Sequence, residues 1–263
     1  MTTTAASATT TREGPVLIVT ITRVERANAL HSAAHFELSR IFDAFEADPT
    51  LLVAIITGAG ETSFSAGNDL KVQAEGGPME RPPTGFAGLT KRSNRTKPVI
   101  AAVNGVALGG GFEIVLTCDL AVAAPHARFA LPEVRRGLVP LAGIHLLPRH
   151  VGSKAAMAIL LAGKWLTASE ALALGLINDI SAENGALDAA KVWAGRVLRG
   201  SPQAIATCLD IVERSQRTPD VQDALDGDYE SLRRLRASPD FIEGPKAFSE
   251  GRDPVWSRGK ETN

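Results

Sequence analysis

The stretch NGVALGGGFEIVLTCD, Asn104 to Asp119, sets three consecutive glycines just before a glutamate and an apolar run, where a helix begins. Glycine loses more conformational freedom on folding than any other residue. The run therefore meets a specific need: binding a phosphate, letting two segments pack closely, or holding bare backbone N–H groups beside a reacting oxygen. The first turn of a helix has unpaired N–H groups and the positive end of the dipole, and here those groups lie near Gly110. A second segment, TSFSAGNDLK, follows AIITGAG, so the backbone around Ala66 and Gly67 emerges from the end of a strand, where open α/β proteins place their sites. Two such N–H groups aimed at one oxygen form an oxyanion hole. Two carboxylates complete the set: Glu113, one helical turn past Gly110, and Glu133 in ARFALPEVRRGLVP, after a short strand. Paired carboxylates beside an oxyanion hole suit proton transfer at the carbons next to a thioester carbonyl, where an enolate must be held. The competing reading has Glu113 complementing the helix dipole and Glu133 pairing with Arg135 or Arg136.

Other chemistries fail on spacing. A dinucleotide fingerprint started at Gly109 and Gly111 needs glycine where Ile114 stands. A P-loop at Gly163-Lys164 needs Ser or Thr where Trp165 stands and glycine where Ala158 stands. A nucleophile elbow at Ser65 needs glycine at Ser63, so Ser65 reads as a loop or turn residue. His31 and His35 are one turn apart but Ser32 follows the first, so they read as a solvated helix face; no metal is expected.

The elements that position these residues follow from the period of the apolar residues. Residues 15–22, 51–58, 97–105 and 119–124 are short, β-rich runs ended by turn residues. Helical patterns lie between them: SAAHFELSRIFDAFEAD, and GFAGLTKRSNRT as a shorter helix. Thr167 and Glu170 form a capping box, with Gly175 closing that helix. Residues 75–86, rich in Gly and Pro, read as a mobile surface loop. Beyond residue 180 the chain is helical, over about 184–199, 202–215, 218–236 and 239–249. The expected organisation is a disordered tail over 1–12, an α/β core over 13–198 and a helical C-terminal region over 199–263. At 263 residues and 44% hydrophobic, the chain can bury a large core. With 28 basic and 29 acidic residues well mixed, no charged field recruits nucleic acid or an anionic membrane. Cys118 and Cys208, far apart, read as buried core thiols in a reducing compartment. No apolar run spans a membrane and no secretory signal opens the chain, so a cytoplasmic protein is expected.

These segments resemble the crotonase (enoyl-CoA hydratase/isomerase) superfamily from about Gly14 to Ser257, including RVERANAL, FSAGNDLK, KPVIAAVNGVALGGGFEIVLTCDLAVAA, FALPEVRRGLVP, LTASEALALGLI and EGPKAFSEGRDPVW. The resemblance implies an α/β fold, a crotonase-like spiral of ββα units with an α-helical C-terminal trimerisation region. It implies that Ala66 and Gly110 supply the oxyanion-hole N–H groups, and that Asp69, Leu70 and Lys71 border the CoA nucleotide. Glu113 and Glu133 fall where hydratases place theirs, so the implied reaction is water addition to a 2-enoyl-CoA, Glu113 aiding attack at C3 and Glu133 exchanging the proton at C2. Departures occur at Val24, where proline is usual, and at Arg26-Ala27, reversed from Ala-Arg, beside the CoA phosphates. Leu141 stands where hydratases often have glycine, giving a bulkier wall and pointing to other acyl groups, carnitinyl-CoA among them. The alternatives are another crotonase reaction, isomerisation or thioester hydrolysis, and non-catalytic binding of acyl-CoA or RNA. The implied partners are an acyl-CoA substrate, with CoA part of the substrate and no separate cofactor, and copies of the same chain in a homo-trimer or hexamer. On that resemblance Lys246 or Arg252 approaches a phosphate and Phe248 the pantetheine.

Overall fold

The apolar runs pair into two sheets in a computed structural model, which describes residues 6–257. The strands are, in chain order, β1 (Ala8–Glu13), β2 (Val16–Ile21), β3 (Val53–Gly58), β4 (Ser63–Ser65), β5 (Val99–Val103), β6 (Val106–Leu108), β7 (Leu120–Ala123), β8 (Arg128–Ala130), β9 (Leu166–Thr167) and β10 (Asp179–Ile180). The helices are α1 (Ser32–Ala47), α2 (Leu70–Ala74), α3 (Gly110–Thr117), α4 (Gly143–His150), α5 (Ser153–Ala162), α6 (Ala168–Ala173), α7 (Ala186–Val197), α8 (Pro202–Ser215), α9 (Val221–Leu225), α10 (Glu230–Arg236) and α11 (Asp240–Glu250). β2, β3, β5, β7 and β10 run parallel in the larger sheet, with β1 antiparallel at its edge. β4, β6 and β8 run parallel in the smaller sheet, which β9 extends antiparallel. Each of β3–β4–α2, β5–β6–α3 and β7–β8–α4 puts one strand in each sheet and then a helix, so the chain winds as a spiral of ββα units.

The larger sheet is buried on both faces. Leu17, Val19, Ile21 and Ile56 pack with Leu38 and Phe42 of α1 and Phe112 of α3, while Val16, Ile18, Val53 and Ile55 pack against Ala190 and Ala194 of α7. Two covered faces are why these strands read as continuous rather than alternating apolar runs.

Four expectations need correction. Residues 8–12 are not a disordered tail but most of β1, whose backbone pairs with β2 from Ala8–Ile21 to Glu13–Val16. Its side chains are mostly polar and exposed, so the backbone ladder holds it and no apolar pattern marks it. GFAGLTKRSNRT forms only a 3-10 turn, Phe86–Gly88, because Gly85, Ala87 and Gly88 all have positive φ. The helix expected over 218–236 breaks at Asp226–Tyr229, separating α9 from α10. Cys208 is exposed, while Cys118 packs half-buried against the core. The capping box of Thr167 and Glu170 at α6 is present, and Gly175 beyond it has φ +72°.

Candidate active site

The glycine run serves both close packing and exposure. Gly109 has φ +56°, and a Cβ there would sit 2.8 Å from Glu133 Oε1. At Gly111 a Cβ would overlap the Ser65 carbonyl. Only glycine admits such a turn and such an approach together. The chain then enters α3 at Gly110, whose N–H has no hydrogen-bond partner among the described residues, as expected of a first-turn donor.

The second donor is not where the sequence placed it. The Ala66 N–H donates to the Ala27 carbonyl at 2.9 Å, which Ala27 presents from a left-handed conformation at φ 49°. Beyond it, the Leu30 N–H donates to the Gly67 carbonyl at 2.7 Å and the Asp69 N–H to the Leu30 carbonyl at 2.9 Å, a parallel bridge between Leu30 and Asn68. A residue bracketed by that pattern turns its own N–H toward the opposite edge, and the Asn68 N–H has no partner among the described residues. That edge faces α3, since a Cβ on Gly67 would lie 2.7 Å from the Gly110 nitrogen. The unengaged pair at this edge is therefore Asn68 and Gly110, with Ala66 a structural strut. Alternation of hydrogen-bond direction could have pointed to Asn68, but only once the partner at Leu30 was known.

Two neighbours also differ from expectation. Ser65 is buried at the end of β4, its hydroxyl donating to the Asn28 carbonyl at 2.8 Å and accepting from the Gly67 N–H at 3.1 Å. His35 is 1% exposed rather than solvated; its Nδ1 accepts from the Ala87 N–H at 3.1 Å, and its ring lies 4.4 Å from that of Phe86. Burial above all, then the charges of Arg81 and His31, pushes its pKa down to about 3. His31 caps α1, Nδ1 accepting from the Ala34 N–H.

The two glutamates, twenty positions apart in the chain, come together. Glu113, on the first turn of α3, is 4% exposed, and its Oε1 accepts from the Ala142 and Gly143 N–H groups at 2.7 and 2.8 Å. Those donors open α4, so that helix terminus orients the carboxylate. Glu133 begins a 3-10 turn after β8 and reaches back over Gly109; its Oε2 is buried without a hydrogen-bond partner. Burial, with the nearby Glu113 charge adding to it, pushes the Glu133 pKa up to about 7. Pairing of Glu133 with arginine does not occur among the described residues; Arg135 instead donates to the Ala162 carbonyl at 2.6 Å. One carboxyl is thus anchored by donors and the other holds its proton loosely near neutral pH, an arrangement suited to acid/base work.

Residues 11–259 match the model of a family described as enoyl-CoA hydratase/isomerase. The chain belongs to the enoyl-CoA hydratase/isomerase family, the crotonases. Over 253 residues it is 42% identical to a carnitinyl-CoA dehydratase of Escherichia coli, covering 94% of this chain and 96% of that one. It is similar to an enoyl-CoA hydratase structure from Mycobacterium tuberculosis, at TM-score 0.90 and 36% identity, covering 96% of this chain and 99% of that one. A carnitinyl-CoA hydratase structure from Mycobacterium avium matches at TM-score 0.78 and 35% identity, covering 97% and 99%.

The remaining residues singled out in this crotonase lie in three places. Arg26, Ala27, Asp69, Leu70 and Lys71 gather where the early loop meets α2. Arg26 and Lys71 are exposed and outside any ion pair among the described residues. Asp69 is turned inward, pairing with Arg23 at 3.0 Å and capping the Val72 N–H, so it shapes the loop rather than facing solvent. Leu141, 58% exposed, precedes the α4 donors that hold Glu113. Lys246 and Phe248 are not brought to the glutamates: they lie on α11, which is tied through Asp240 to Ser201 at the start of α8 and to Ser257 beyond α11. Arg252 is held by Glu243 and Glu250, both at 2.6 Å. A cavity of about 730 Å³ lies elsewhere, between α8 and the ends of α3 and α4.

Proposed function

We propose that this crotonase is a hydro-lyase that adds water across the 2,3 double bond of a 2-enoyl-CoA thioester and catalyses the reverse dehydration. The reading rests above all on Glu133, a half-buried carboxyl with one buried, unpartnered oxygen, its pKa pushed up to about 7, beside Glu113 and two unengaged backbone donors. Water held by the free oxygen of Glu113 attacks C3 while the π electrons move onto the thioester oxygen, where the Asn68 and Gly110 N–H groups stabilise the enolate. The water gives up a proton to the carboxylate pair as the C–O bond forms. Glu133 delivers its proton to C2, and the carbonyl reforms. The reaction needs no cofactor beyond the CoA carried by the substrate. Arg26 and Lys71, both exposed, would meet the CoA phosphates. Apolar side chains left exposed on the C-terminal helices, Val221, Leu225, Ile242 and Phe248 among them, favour assembly as a trimer or hexamer. A neighbouring copy would be the route by which Lys246 and Phe248 reach a CoA tail.

The test follows crotonyl-CoA by loss of enoyl absorbance, with the product identified by mass as the hydrate, beside a 3-enoyl-CoA. Double-bond migration without water gain, or release of free CoA, would replace this reading with isomerisation or thioester hydrolysis. The carnitinyl-CoA names of its relatives favour the same chemistry on a different acyl group, which a screen of 3-hydroxyacyl-CoA esters addresses directly.

A further inference from the structure

Arginines that reach into the fold generally have a carboxylate: Arg23 pairs with Asp69, Arg92 with Asp43 and Arg95 with Asp119. Arg81 does not. Its Nε is buried with no hydrogen-bond partner, and it makes no ion pair among the described residues. Its guanidinium carbon lies 5.3 Å from the centroid of the Phe86 ring. The tip of that same ring meets the Cα of Gly110, where a Cβ would overlap it. A cation without a counter-ion therefore stands one aromatic ring away from the N–H that would hold the thioester oxygen. His35, the other polar group on Phe86, is neutral and supplies no compensating charge. A partly desolvated, unpaired charge is unfavourable unless a ligand completes it.

We propose that Arg81 is a specificity residue of the acyl pocket, and that the acyl group of the substrate carries a carboxylate at the end remote from the thioester. The inference rests on the acyl-CoA reading of the site and narrows it. A planar guanidinium offers a carboxylate two parallel N–H bonds, and the face of Phe86 backs it on one side. A quaternary ammonium acyl group, by contrast, meets like charge at the same point.

Binding separates the outcomes without requiring turnover. The full-length protein is titrated calorimetrically with butyryl-CoA, glutaryl-CoA and 4-trimethylammoniobutyryl-CoA, which are saturated and cannot be hydrated. Glutaryl-CoA should bind roughly tenfold or more tighter than butyryl-CoA, the scale of one hydrogen-bonded charge, and the cationic ester weaker than both. In Arg81→Met the glutaryl-to-butyryl ratio should fall to about one, and Arg81→Lys should keep part of it. Equal affinity of the wild-type protein for all three esters overturns the inference alone, whether or not the variants fold. A loss by the same factor for every ester and for free CoA in Arg81→Met also overturns it, placing Arg81 on the CoA phosphates. Binding of no CoA ester overturns the acyl-CoA reading and this inference with it.

Discussion

Replacing Glu133 by Gln keeps the size and polarity of the side chain and removes its exchangeable acidic proton. Removing a general acid/base costs at least about a hundredfold in turnover, roughly 2.7 kcal/mol of barrier, and CoA-ester affinity should change little because Glu133 lies over Gly109, at the reacting end. The pH profile gives a sharper reading. In the proposed reaction hydration starts with the proton on Glu133 and dehydration returns it there, so the active free enzyme would carry one proton on the glutamate pair in either direction. The overall reaction takes up no net proton, so kcat/KM must follow the same pH curve both ways. With Glu133 pushed up to about 7, that curve should fall above neutrality, reaching roughly a fifth of its pH 7 value by pH 8 for a single titration. Stability moves in the opposite sense in the variant. A carboxyl whose folded pKa is raised above 4.5 is a liability only once it ionises, so the wild type loses stability relative to Glu133→Gln as pH rises from about 4.5 through 7. The variant should therefore melt higher than wild type at pH 8 and alike at pH 4, which separates lost chemistry from lost folding. Stopped assays with crotonyl-CoA and 3-hydroxybutyryl-CoA over pH 6 to 9 measure the profile. Wild-type rates in Glu133→Gln, or an unchanged alkaline limb, would refute the role given to this residue.

Replacing the backbone amide by an ester removes one N–H without adding bulk. At Asn68 or Gly110 this should cost on the order of a hundredfold in kcat, whereas at Ala66 it should lower the melting temperature with kcat nearly kept; the reverse pattern would return the donor role to Ala66. Gly111→Ala places a Cβ on the Ser65 carbonyl and should lower the melting temperature by several degrees or more, so an unperturbed melt would contradict the packing described. Truncation before Pro239 removes α11 and the exposed Phe248, 89% accessible on the single chain, and should abolish both assembly and activity. A wild-type protein that is monomeric by light scattering at concentrations where it is active would sink that expectation.

Much of this molecule was legible locally. The switch of apolar period marked β2, β3, β5 and β7, because strands covered on both faces must be apolar throughout. The capping box marked α6, because it is satisfied within four residues. The spacing from Gly110 to Glu113 is one turn of a helix, so their adjacency was settled by residue count. What tertiary structure alone decided depends on partners distant in sequence. β1 is held by its ladder to β2 rather than by side-chain burial, so its threonines gave no signal. His35 lost its solvated face because the loop of Phe86 and Ala87 packs over it. The Ala66 N–H is consumed by a carbonyl of the early loop, and the free donor moves to Asn68. The titration of Glu133 comes from burial and from Glu113, neither visible along the chain. Periodicity and capping act within a few residues and are written in the sequence, whereas desolvation, charge proximity and the fate of each backbone donor are set only when separate segments meet.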